Sequence, residues 1–411
     1  MNEQRSCGLS SGVEFKNLAY KVQLGYKKGY KEILKSINGR FPSNKLIGIL
    51  GGSGSGKSTL LNLLSGYEEG KYSGTIRTYG VDEDLKQYRK KSVYIMQDNY
   101  LQDLLTLREN MEIAADLKLG DRFGCYAKKA IIDKVISVMG LKDAIDTKTG
   151  ILSGGEKKRL SVGLELINEP SILFLDEPTT GLDSSACTQF MEHLKELTVE
   201  GKTIICTIHQ PSATVFNLFD EIYILQDGSC FYRGKPEDLL PCLENNGWTC
   251  PLFHNPADFA IELSINNVNI VQESVWECEE EVTKDEPCNT NKVDISDVSE
   301  YYSFKVLMKR EFLKCIRNKT LTYLRLITSV MNSLTLSVIF WKVGSDASKM
   351  LFNYNFIMGF LLHLMTPSLM LTILTYPNEK LTLFREHFNR WFSLKVYYLV
   401  LTLIELPIAV S

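Results

Sequence analysis

The sequence predicts an α/β domain with a largely parallel sheet over residues 13–265, followed by an α-helical, apolar region over residues 320–411. In the first part, apolar runs of strand length alternate with segments of helical spacing, which is the pattern of parallel strands joined by helices. In the second part, three apolar runs follow each other closely, and each is about as long as a membrane-spanning helix. The chain therefore combines a part that can fold in water with a part suited to a lipid bilayer.

The first part can be divided into elements in chain order. The stretch "GVEFKNLAYKVQL" alternates like a half-buried strand, and "KLIGILGGSGSGKSTLLNLLSG" has the pattern of a buried strand, a glycine-rich turn and a helix. Residues 106–146 are mostly of helical spacing. Near the end, "DEIYILQDGSCFYRGK" predicts a hairpin that turns at Asp227 and Gly228. These elements favour a parallel core sheet with an antiparallel part.

The glycine-rich turn predicts a phosphate-binding loop. Gly51, Gly56, Lys57 and Ser58 match the pattern G-x-x-x-x-G-K-[ST]. Backbone N–H groups of such a loop can surround a phosphate, a lysine can pair with the β- and γ-phosphates, and the Ser58 hydroxyl can bind Mg²⁺. The candidate nucleotide-binding residues of the loop are Gly51, Gly52, Ser53, Gly54, Ser55, Gly56, Lys57, Ser58 and Thr59.

Polar residues follow three further strands. Asp176 and Glu177 end the apolar run "ILFLDE", where Asp176 can hold Mg²⁺ and Glu177 can polarise a water as general base. Gln97 ends "VYIMQ" and can bind Mg²⁺ or position water, and His209 ends "IICTIH" and can contact a γ-phosphate oxygen. Ligands of open α/β sheets bind at the carboxyl ends of the strands, so these side chains are expected at one edge. The candidate catalytic residues are Lys57, Gln97, Glu177 and His209, and the candidate Mg²⁺ ligands are Ser58, Gln97 and Asp176.

Two segments separate this domain from the apolar runs. Residues 266–300 hold an excess of acidic residues and few large apolar ones, which predicts a flexible linker. Residues 301–319 predict a helix with one apolar face and basic residues around it, suited to lie at a membrane surface. The apolar residues of that face are Phe304, Leu307, Met308, Phe312, Leu313 and Ile316.

The apolar runs predict membrane spans at residues 321–341, 354–376 and 391–411. Basic residues before the first run and after the second predict that the N-terminal domain faces the cytosol, on a plasma or intracellular membrane. Residues 1–12 are polar and lack the apolar run of a signal peptide. All ten cysteines precede the spans, so in the cytosol we expect neither disulfides nor a zinc site. The net charge of −3 gives no reason to expect nucleic acid as a partner.

Five motifs resemble those of ATP-binding-cassette (ABC) ATPases in order and spacing. They are "GGSGSGKST", "YIMQD", "LSGGEKKR", "LFLDEPTTGLD" and "ICTIHQPS". The chain also resembles the G subfamily of half-transporters, which includes the insect eye-pigment transporters. As in that subfamily, the nucleotide domain precedes the membrane spans, and the similar stretches are "HQPSATVFNLFDEIYIL", "CPLFHNPADF" and "FREHFNRWFSL". The stretch "YIMQDNYLQDLLTLRENMEIAADLKL" is most similar to the branch that exports sterols and phospholipids. The resemblance implies a P-loop NTPase fold of the ABC type with an incomplete helical transmembrane domain, and ATP and Mg²⁺ as cofactors.

The resemblance also implies a second chain. In the family, each ATP lies between the P-loop of one cassette and the signature loop of another, which here would be Leu152, Ser153, Gly154, Gly155 and Glu156. Gly181, Leu182 and Asp183 would form the D-loop. This chain has one copy of each motif, so we expect a homodimer or a heterodimer with another half-transporter. The helix 301–319 and a loop carrying Arg385, Glu386 and His387 would relay motion to the spans.

Three departures from the family pattern are visible. Gly52 stands where a proline is usual, which is expected to loosen the loop. Val22 stands where many cassettes stack an aromatic residue on adenine, so the contact to the base is apolar or is supplied by Tyr26 or Tyr30. The family has six spans, whereas this sequence stops inside the third predicted one, which favours a fragment or partial gene model over a short isoform.

These observations predict ATP-driven export of lipid- or sterol-like substrates by a half-transporter subunit. Pigment precursors are the alternative cargo. The alternative function is that of a truncated, membrane-anchored ATP-binding subunit that regulates or poisons a full-length partner. A soluble cassette ATPase is a third class, and the three apolar runs argue against it.

Overall fold

The computed structural model describes residues 12–23, 29–68, 70, 72–78, 85–252, 254–266, 298–341 and 350–410. The polar N-terminus and the acidic linker lie almost wholly outside the described residues. The chain divides into two compact units, of which one comprises residues 1–99, 134–143 and 153–295 and the other the remaining segments. The helix-rich part of the predicted first domain is therefore shared between the units.

The strands of the described residues form two sheets in the first unit. A three-stranded antiparallel sheet has the order β2-β1-β4, and a six-stranded sheet has the order β5-β6-β7-β3-β8-β9. The strands are β1 (Val13–Gln23), β2 (Tyr30–Phe41), β3 (Leu46–Gly51), β4 (Tyr72–Thr78), β5 (Ser92–Ile95), β6 (Ile172–Leu175), β7 (Thr203–Thr207), β8 (Glu221–Gln226) and β9 (Ser229–Gly234).

The six-stranded sheet is parallel except at one end. The first five strands in its order pair in parallel, and β9 returns antiparallel to β8. Every residue of β3, β6 and β7 is buried, as expected for central parallel strands covered on both faces. The hairpin turns at Asp227 and Gly228, whose φ angles of 44° and 77° suit a tight hairpin turn. The predicted parallel core with an antiparallel part is confirmed.

Three aromatic rings join the two sheets. The ring of Tyr223 in β8 meets Phe15 and Phe41 of the antiparallel sheet edge-on, with centroid separations of 5.8 Å for both pairs. The Tyr223 hydroxyl donates to the carbonyl oxygen of Asn38 at 2.9 Å. These contacts fix β2 beside the parallel sheet, so that β2 can form one wall of a cleft.

The helices of the described residues are, in chain order, α1 (Lys57–Ser65), α2 (Leu85–Lys91), α3 (Leu107–Leu119), α4 (Cys125–Val138), α5 (Gly154–Leu166), α6 (Ser184–Val199), α7 (Ala213–Phe216), α8 (Pro236–Asn245), α9 (Pro256–Ile265), α10 (Glu300–Arg317), α11 (Lys319–Ile339), α12 (Met350–Phe388) and α13 (Leu394–Val410). The last four and α3 belong to the second unit.

In the second unit, α10 matches the predicted helix, but its predicted apolar face is only partly buried, with Leu307 0% exposed. Phe312 and Ile316, expected on the apolar face, are each 59% exposed, whereas Arg310 and Glu311 are buried. The reason is an ion-pair network: Arg310 donates to Glu386 at 2.7 Å and to Glu311 at 3.0 Å. Burial disfavours these charges, but their mutual contacts keep them ionised, so the pKa of Arg310 stays above its ordinary value.

The three apolar runs fall on α11, α12 and α13. Among the residues that the structure describes, no helix is both long and apolar enough to cross a membrane. The prediction that a loop carries Arg385, Glu386 and His387 is wrong, because α12 continues to Phe388 and includes all three. Charged residues of this extension pair with α10, where Lys314 donates to Glu379 at 3.2 Å, and these contacts hold the extension in place.

Candidate functional site

The parallel strands bring the predicted site residues to one edge of the six-stranded sheet. Leu175 at the end of β6 is the register partner of Cys206 near the end of β7, so the two strands end at nearly the same height. Gln97, Asp176 and His209 follow the ends of β5, β6 and β7, and the glycine-rich loop follows β3. The prediction that these residues lie at one sheet edge agrees with this arrangement.

The glycine-rich loop requires glycine at two positions. A Cβ atom on Gly51 would lie 2.4 Å from the carbonyl oxygen of Leu225 and 2.7 Å from Ser55 Oγ. Gly56 caps α1 with a φ of 102°, in the left-handed region, which other residues disfavour. The loop thus exposes backbone N–H groups at the start of a helix, where anions bind readily.

Neighbouring elements hold this loop. The Gly228 N–H donates to the carbonyl oxygen of Ser55 at 3.0 Å, so the hairpin turn supports the loop from one side. A Cβ atom on Gly52 would lie 2.9 Å from Cγ1 of Ile265, at the end of α9. The side chain of Ile265 therefore fills the space beside the glycine that the sequence marks as a departure from the family.

Lys57 is held over the loop. Its Nζ donates to the carbonyl oxygens of Gly51 at 2.9 Å and Gly52 at 2.8 Å. Burial lowers the pKa of Lys57, and the negative charges of Glu177 and Asp176 oppose that effect. A phosphate oxygen is a stronger acceptor than a carbonyl oxygen, so the ammonium group is placed to exchange one for the other.

Three hydroxyl groups surround Asp176. Its Oδ1 accepts from Ser58 Oγ at 3.1 Å and from Thr207 Oγ1 at 2.8 Å. Its Oδ2 lies 3.3 Å from the hydroxyl of Tyr94, which also donates to Asn62 at 2.7 Å. Burial raises the pKa of Tyr94 well above its ordinary value. Ser58 and Asp176, both predicted Mg²⁺ ligands, are therefore in direct contact.

Glu177, the candidate base, has a φ of 40°. Positive φ is uncommon outside glycine and persists where the surroundings fix it. Its Oε2 accepts from Gln97 Nε2 at 2.9 Å and from Thr180 Oγ1 at 3.1 Å, and its N–H donates to Thr207 Oγ1 at 2.8 Å. The structure thus joins Gln97 to Glu177 directly.

A cleft of about 620 Å³ opens beside the loop. It gathers Glu177 and His209 with much of the glycine-rich loop, while Gln97 and Asp176 reach it through their contacts with Glu177 and Ser58. The lining residues are Lys31, Glu32, Ile33, Lys35, Ser53, Gly54, Gly56, Lys57, Ser58, Thr59, Glu177, His209 and Asp227. The charged residues of β2 and Asp227 were not predicted from the sequence.

Val22, the residue predicted to contact the adenine base, lies one strand away from the cleft. Val22 is not among the lining residues but is the register partner of Lys31, which is. Tyr30, beside Lys31, is 72% exposed. Tyr26, the other aromatic candidate, lies outside the described residues.

The candidate signature loop begins α5 and does not line the cleft. Ser153 caps the helix: its Oγ accepts from the N–H of Glu156 at 3.3 Å, and the Glu156 carboxylate accepts from the Ser153 N–H at 2.8 Å. The Ser153 hydroxyl also donates to this carboxylate at 2.8 Å, and the hydrogen bonds from the Ser153 hydroxyl and N–H hold the pKa of Glu156 below its ordinary value. Gly154 is exposed and Gly155 and Leu152 are buried, so Ser153 and Gly154 face solvent at a helix N-terminus.

The candidate D-loop lies beside the signature loop. A Cβ atom on Gly154 would lie 3.6 Å from both the carbonyl oxygen of Gly181 and Cδ2 of Leu182. Asp183 then caps α6 by accepting from the N–H of Ala186 at 2.7 Å. The two loops therefore form one exposed surface of the first unit.

Besides the unpredicted cleft residues, sequence reasoning missed three residues that hold the predicted ones in place. Thr207 and Tyr94 bind Asp176, and Lys158 of α5 is buried and donates to the carbonyl oxygens of Gln97 at 2.7 Å and Met96 at 3.1 Å. Burial lowers the pKa of Lys158 to about 8. Two signals for these roles were present in the sequence. Thr207 places a hydroxyl within the apolar run "TIICTIH", and Lys158 places a charge on the buried side of a helix.

The residues at this edge fit a nucleotide with Mg²⁺. Ser55 Oγ is buried and has no hydrogen-bond partner among the described residues, in a loop where phosphate oxygens are acceptors. Hydroxyl, carboxylate and amide oxygens from Ser58, Asp176 and Gln97 are the hard ligands that Mg²⁺ prefers.

Two family models match the chain. That of the ABC transporter family matches residues 34–180, and that of the ABC-2 type transporter family matches residues 302–411. The first match contains the glycine-rich loop, Gln97, the signature loop and both carboxylates. The chain belongs to the ABC transporters.

The relatives of this ABC transporter chain assign it to the G subfamily. It is 36% identical over 302 residues to the broad substrate specificity ATP-binding cassette transporter ABCG2 of Rattus norvegicus, covering 71% of this chain and 46% of that protein. It is 33% identical to ABC transporter G family member 8 of Dictyostelium discoideum, covering 94% of this chain and 63% of that protein. The chain thus spans about half to two thirds of the length of these relatives.

A solved structure supports the fold. The cbiO1 protein from Clostridium perfringens, part of the ABC transporter complex cbiONQ, is 26% identical with a TM-score of 0.50. The likeness covers 56% of this chain and 91% of cbiO1. The first unit of the ABC transporter chain is thus a P-loop nucleotide-binding domain, and the ABC-2 match identifies a membrane protein.

Proposed function

We propose that this chain is one subunit of an ATP-driven transporter, with ATP hydrolysed at the sheet edge described above. One observation carries the proposal. Ser58 and Asp176, which can hold a metal ion, are in direct contact at 3.1 Å, next to Glu177, which lines the cleft of the glycine-rich loop. Metal ligands, a base and a phosphate loop at one edge are the parts that phosphoryl transfer to water requires.

Each residue of the site has a separate role in this proposal. Lys57 and the loop N–H groups bind the β- and γ-phosphates. Bound Mg²⁺ would neutralise charge on these phosphates, and Ser58, Asp176 and Gln97 would hold it. Glu177, oriented by Gln97 and Thr180, takes the proton of the attacking water. His209 lines the same cleft and would bind a γ-phosphate oxygen.

The transporter is proposed to act as a dimer. Ser153 and Gly154 face solvent away from the cleft lining of their own chain. An exposed helix N-terminus can complete an anion site on another molecule. The γ-phosphate of one chain would then meet the signature loop of a second half-transporter chain, and ATP would hold the two together.

The proposed cargo is a lipid- or sterol-like molecule that crosses or leaves the membrane. The apolar runs at residues 321–341, 354–376 and 391–411 would line its path, with the nucleotide-binding unit in the cytosol. Support for transport comes from the ABC-2 family match over residues 302–411 and from relatives whose names record broad substrate specificity. The lipid or sterol class rests on the resemblance of residues 94–119 to the branch that exports such molecules.

Substitution of Glu177, the proposed general base, tests the proposal. Glu177→Gln keeps the size of the side chain but removes the proton acceptor, so ATP turnover should fall at least about 100-fold. Binding of a fluorescent ATP analogue should be unchanged, because Glu177 does not hold the phosphates. Glu192→Gln, an exposed change on α6, is the matched control and should turn over ATP normally. Substantial residual turnover in Glu177→Gln would remove Glu177 as the base.

A further inference from the structure

We propose that Thr207 is a positioning residue that fixes Asp176 and Glu177 through a single side-chain hydroxyl. The inference rests on the proposed function, because it concerns the metal ligand and the base of that reaction. Thr207 is the last residue of β7 and is 0% exposed. A buried hydroxyl is costly unless it is hydrogen-bonded, so its partners show what it does.

Both hydrogen-bonding capacities of this hydroxyl are used on the two carboxylate residues. Thr207 Oγ1 donates to Asp176 Oδ1 at 2.8 Å and accepts from the backbone N–H of Glu177 at 2.8 Å. The first bond is to a charged acceptor, which makes it stronger than a bond between neutral groups. One atom therefore sets both the rotamer of Asp176 and the backbone at Glu177.

The bond to the Glu177 N–H matters because of the backbone there. The φ of 40° lies in a region that glutamate rarely adopts. A conformation of this kind is kept when neighbouring groups determine it. The Thr207 hydroxyl is such a group, and it helps to aim the Glu177 side chain into the cleft.

The sheet register explains why a hydroxyl from β7 can do this. Leu175 of β6 is the partner of Cys206 of β7, so the next residues, Asp176 and Thr207, stand side by side. His209 follows two residues later along the same segment and lines the cleft. Thr207 therefore links the end of β6 to the segment that carries His209.

A second threonine in β7 supplies a matched control. Thr203 is also 0% exposed, and its Oγ1 accepts from the backbone N–H of Asn44 at 3.0 Å, at the opposite end of the strand. Thr→Val at either position removes a buried hydroxyl with little change in shape. Thr203→Val and Thr207→Val should destabilise the fold similarly, and only Thr207→Val should alter the site.

The experiment measures how Mg²⁺ strengthens nucleotide binding. Thermal stabilisation of the purified chain by a non-hydrolysable ATP analogue is recorded first in EDTA and then during a Mg²⁺ titration. Thr207→Val should match the wild type in EDTA, because Thr207 does not contact the phosphate loop. Its half-maximal Mg²⁺ concentration should rise about ten-fold, as expected for losing one hydrogen bond to a charged group.

Two further readouts complete the test. In ATP hydrolysis, Thr207→Val should lower kcat about ten-fold or more while leaving KM for ATP nearly unchanged, since the bond acts on the carboxylates. Thr207→Ser keeps the hydroxyl and should recover most of both losses. A Mg²⁺ midpoint in Thr207→Val equal to that of Thr203→Val, or a Thr207→Ser variant as impaired as Thr207→Val, would overturn the inference. If Mg²⁺ has no effect even on the wild type, the proposed function itself fails.

Discussion

At the residue scale, the site consists of two carboxylates whose oxygens accept hydrogen bonds from hydroxyl and amide groups, most of them on other elements. Asp176 contacts Ser58 and Thr207, and Glu177 contacts Gln97 and Thr180. The chain's own contacts thus place its proposed metal ligands and base beside each other. Such preorganisation reduces the reorganisation needed during the reaction.

Lys158 extends this arrangement from the signature helix to Gln97. Its buried ammonium binds the carbonyl oxygens of Met96 and Gln97, so it fixes the backbone from which the Gln97 side chain reaches Glu177. Lys158→Met keeps the buried stem and removes the charge. We expect ATP turnover to fall about ten-fold, with binding of the ATP analogue preserved.

The measurement is steady-state ATP hydrolysis beside analogue binding, with Lys157→Met, the half-buried neighbour, as the control. Equal turnover in the two variants would show that Lys158 has no such role.

The motif residues were predictable because their chemistry is local. A glycine-rich turn after an apolar strand, or Asp-Glu at a strand end, indicates phosphate and metal binding without knowledge of the fold. Thr207 was not predictable, since a threonine in an apolar run is an ordinary strand former. Its role depends on which strand lies beside it, and only the structure supplies that.

At the element scale, Glu109 lies in the first turn of α3 and also binds the end of α10. Its carboxylate accepts from the Thr106 N–H at 2.9 Å as part of a capping box. The same carboxylate accepts from Arg317 Nη1 at 2.6 Å and Nη2 at 2.7 Å. Chiefly because of the Arg317 hydrogen bonds, the pKa of Glu109 is lowered to about 2. One residue therefore ties two helices of the second unit together.

This pair predicts a pH dependence of stability. The folded pKa of about 2 lies below the ordinary value of 4.5, so the contribution is complete above pH 4.5 and is lost as the pH falls toward 2. Glu109→Gln should therefore lower the midpoint of thermal unfolding at pH 7 and do so less at pH 3. Glu112→Gln, an exposed change on the same helix, should show no such pH dependence. An equal difference between wild type and Glu109→Gln at both pH values would contradict the assignment.

The helices of the second unit show where sequence patterns mislead. The segment with Arg385, Glu386 and His387 was expected as a loop, because it lies between the apolar runs at residues 354–376 and 391–411. Instead α12 continues, and Glu379 and Glu386 pair with Lys314 and Arg310 of α10. The charged residues Arg310 and Glu311 of α10 are buried for the same reason. Ion pairs between residues distant in sequence are invisible to hydrophobic periodicity.

At the scale of the whole molecule, the parts of an ATPase site lie on two separate surfaces of the nucleotide-binding unit. The cleft gathers the phosphate loop, Glu177 and His209, and the signature and D-loops form an exposed surface elsewhere. The parallel core sheet with an antiparallel part was predictable because strand patterns alternate with helical patterns along the sequence. The strand order β5-β6-β7-β3-β8-β9 was not, since it depends on how the strands pair in space. The need for a second chain came from the family resemblance.

The most direct test of the account is a complementation measurement of ATP turnover by the purified chain in detergent or lipid nanodiscs. Lys57→Ala and Ser153→Arg should each be inactive alone, since both sites of each dimer then lack one half. When the two variants are expressed together, mixed dimers contain one intact site, and turnover should reappear.

The matched control pairs the wild type with the double variant Lys57→Ala, Ser153→Arg. Mixed dimers of these two chains have no intact site, so turnover should fall below that of the wild type diluted with an unrelated membrane protein. Recovery in the first mixture and loss in the second is the predicted result. If wild-type chain alone hydrolyses ATP but the two single variants never restore turnover together, the shared site between two chains is contradicted.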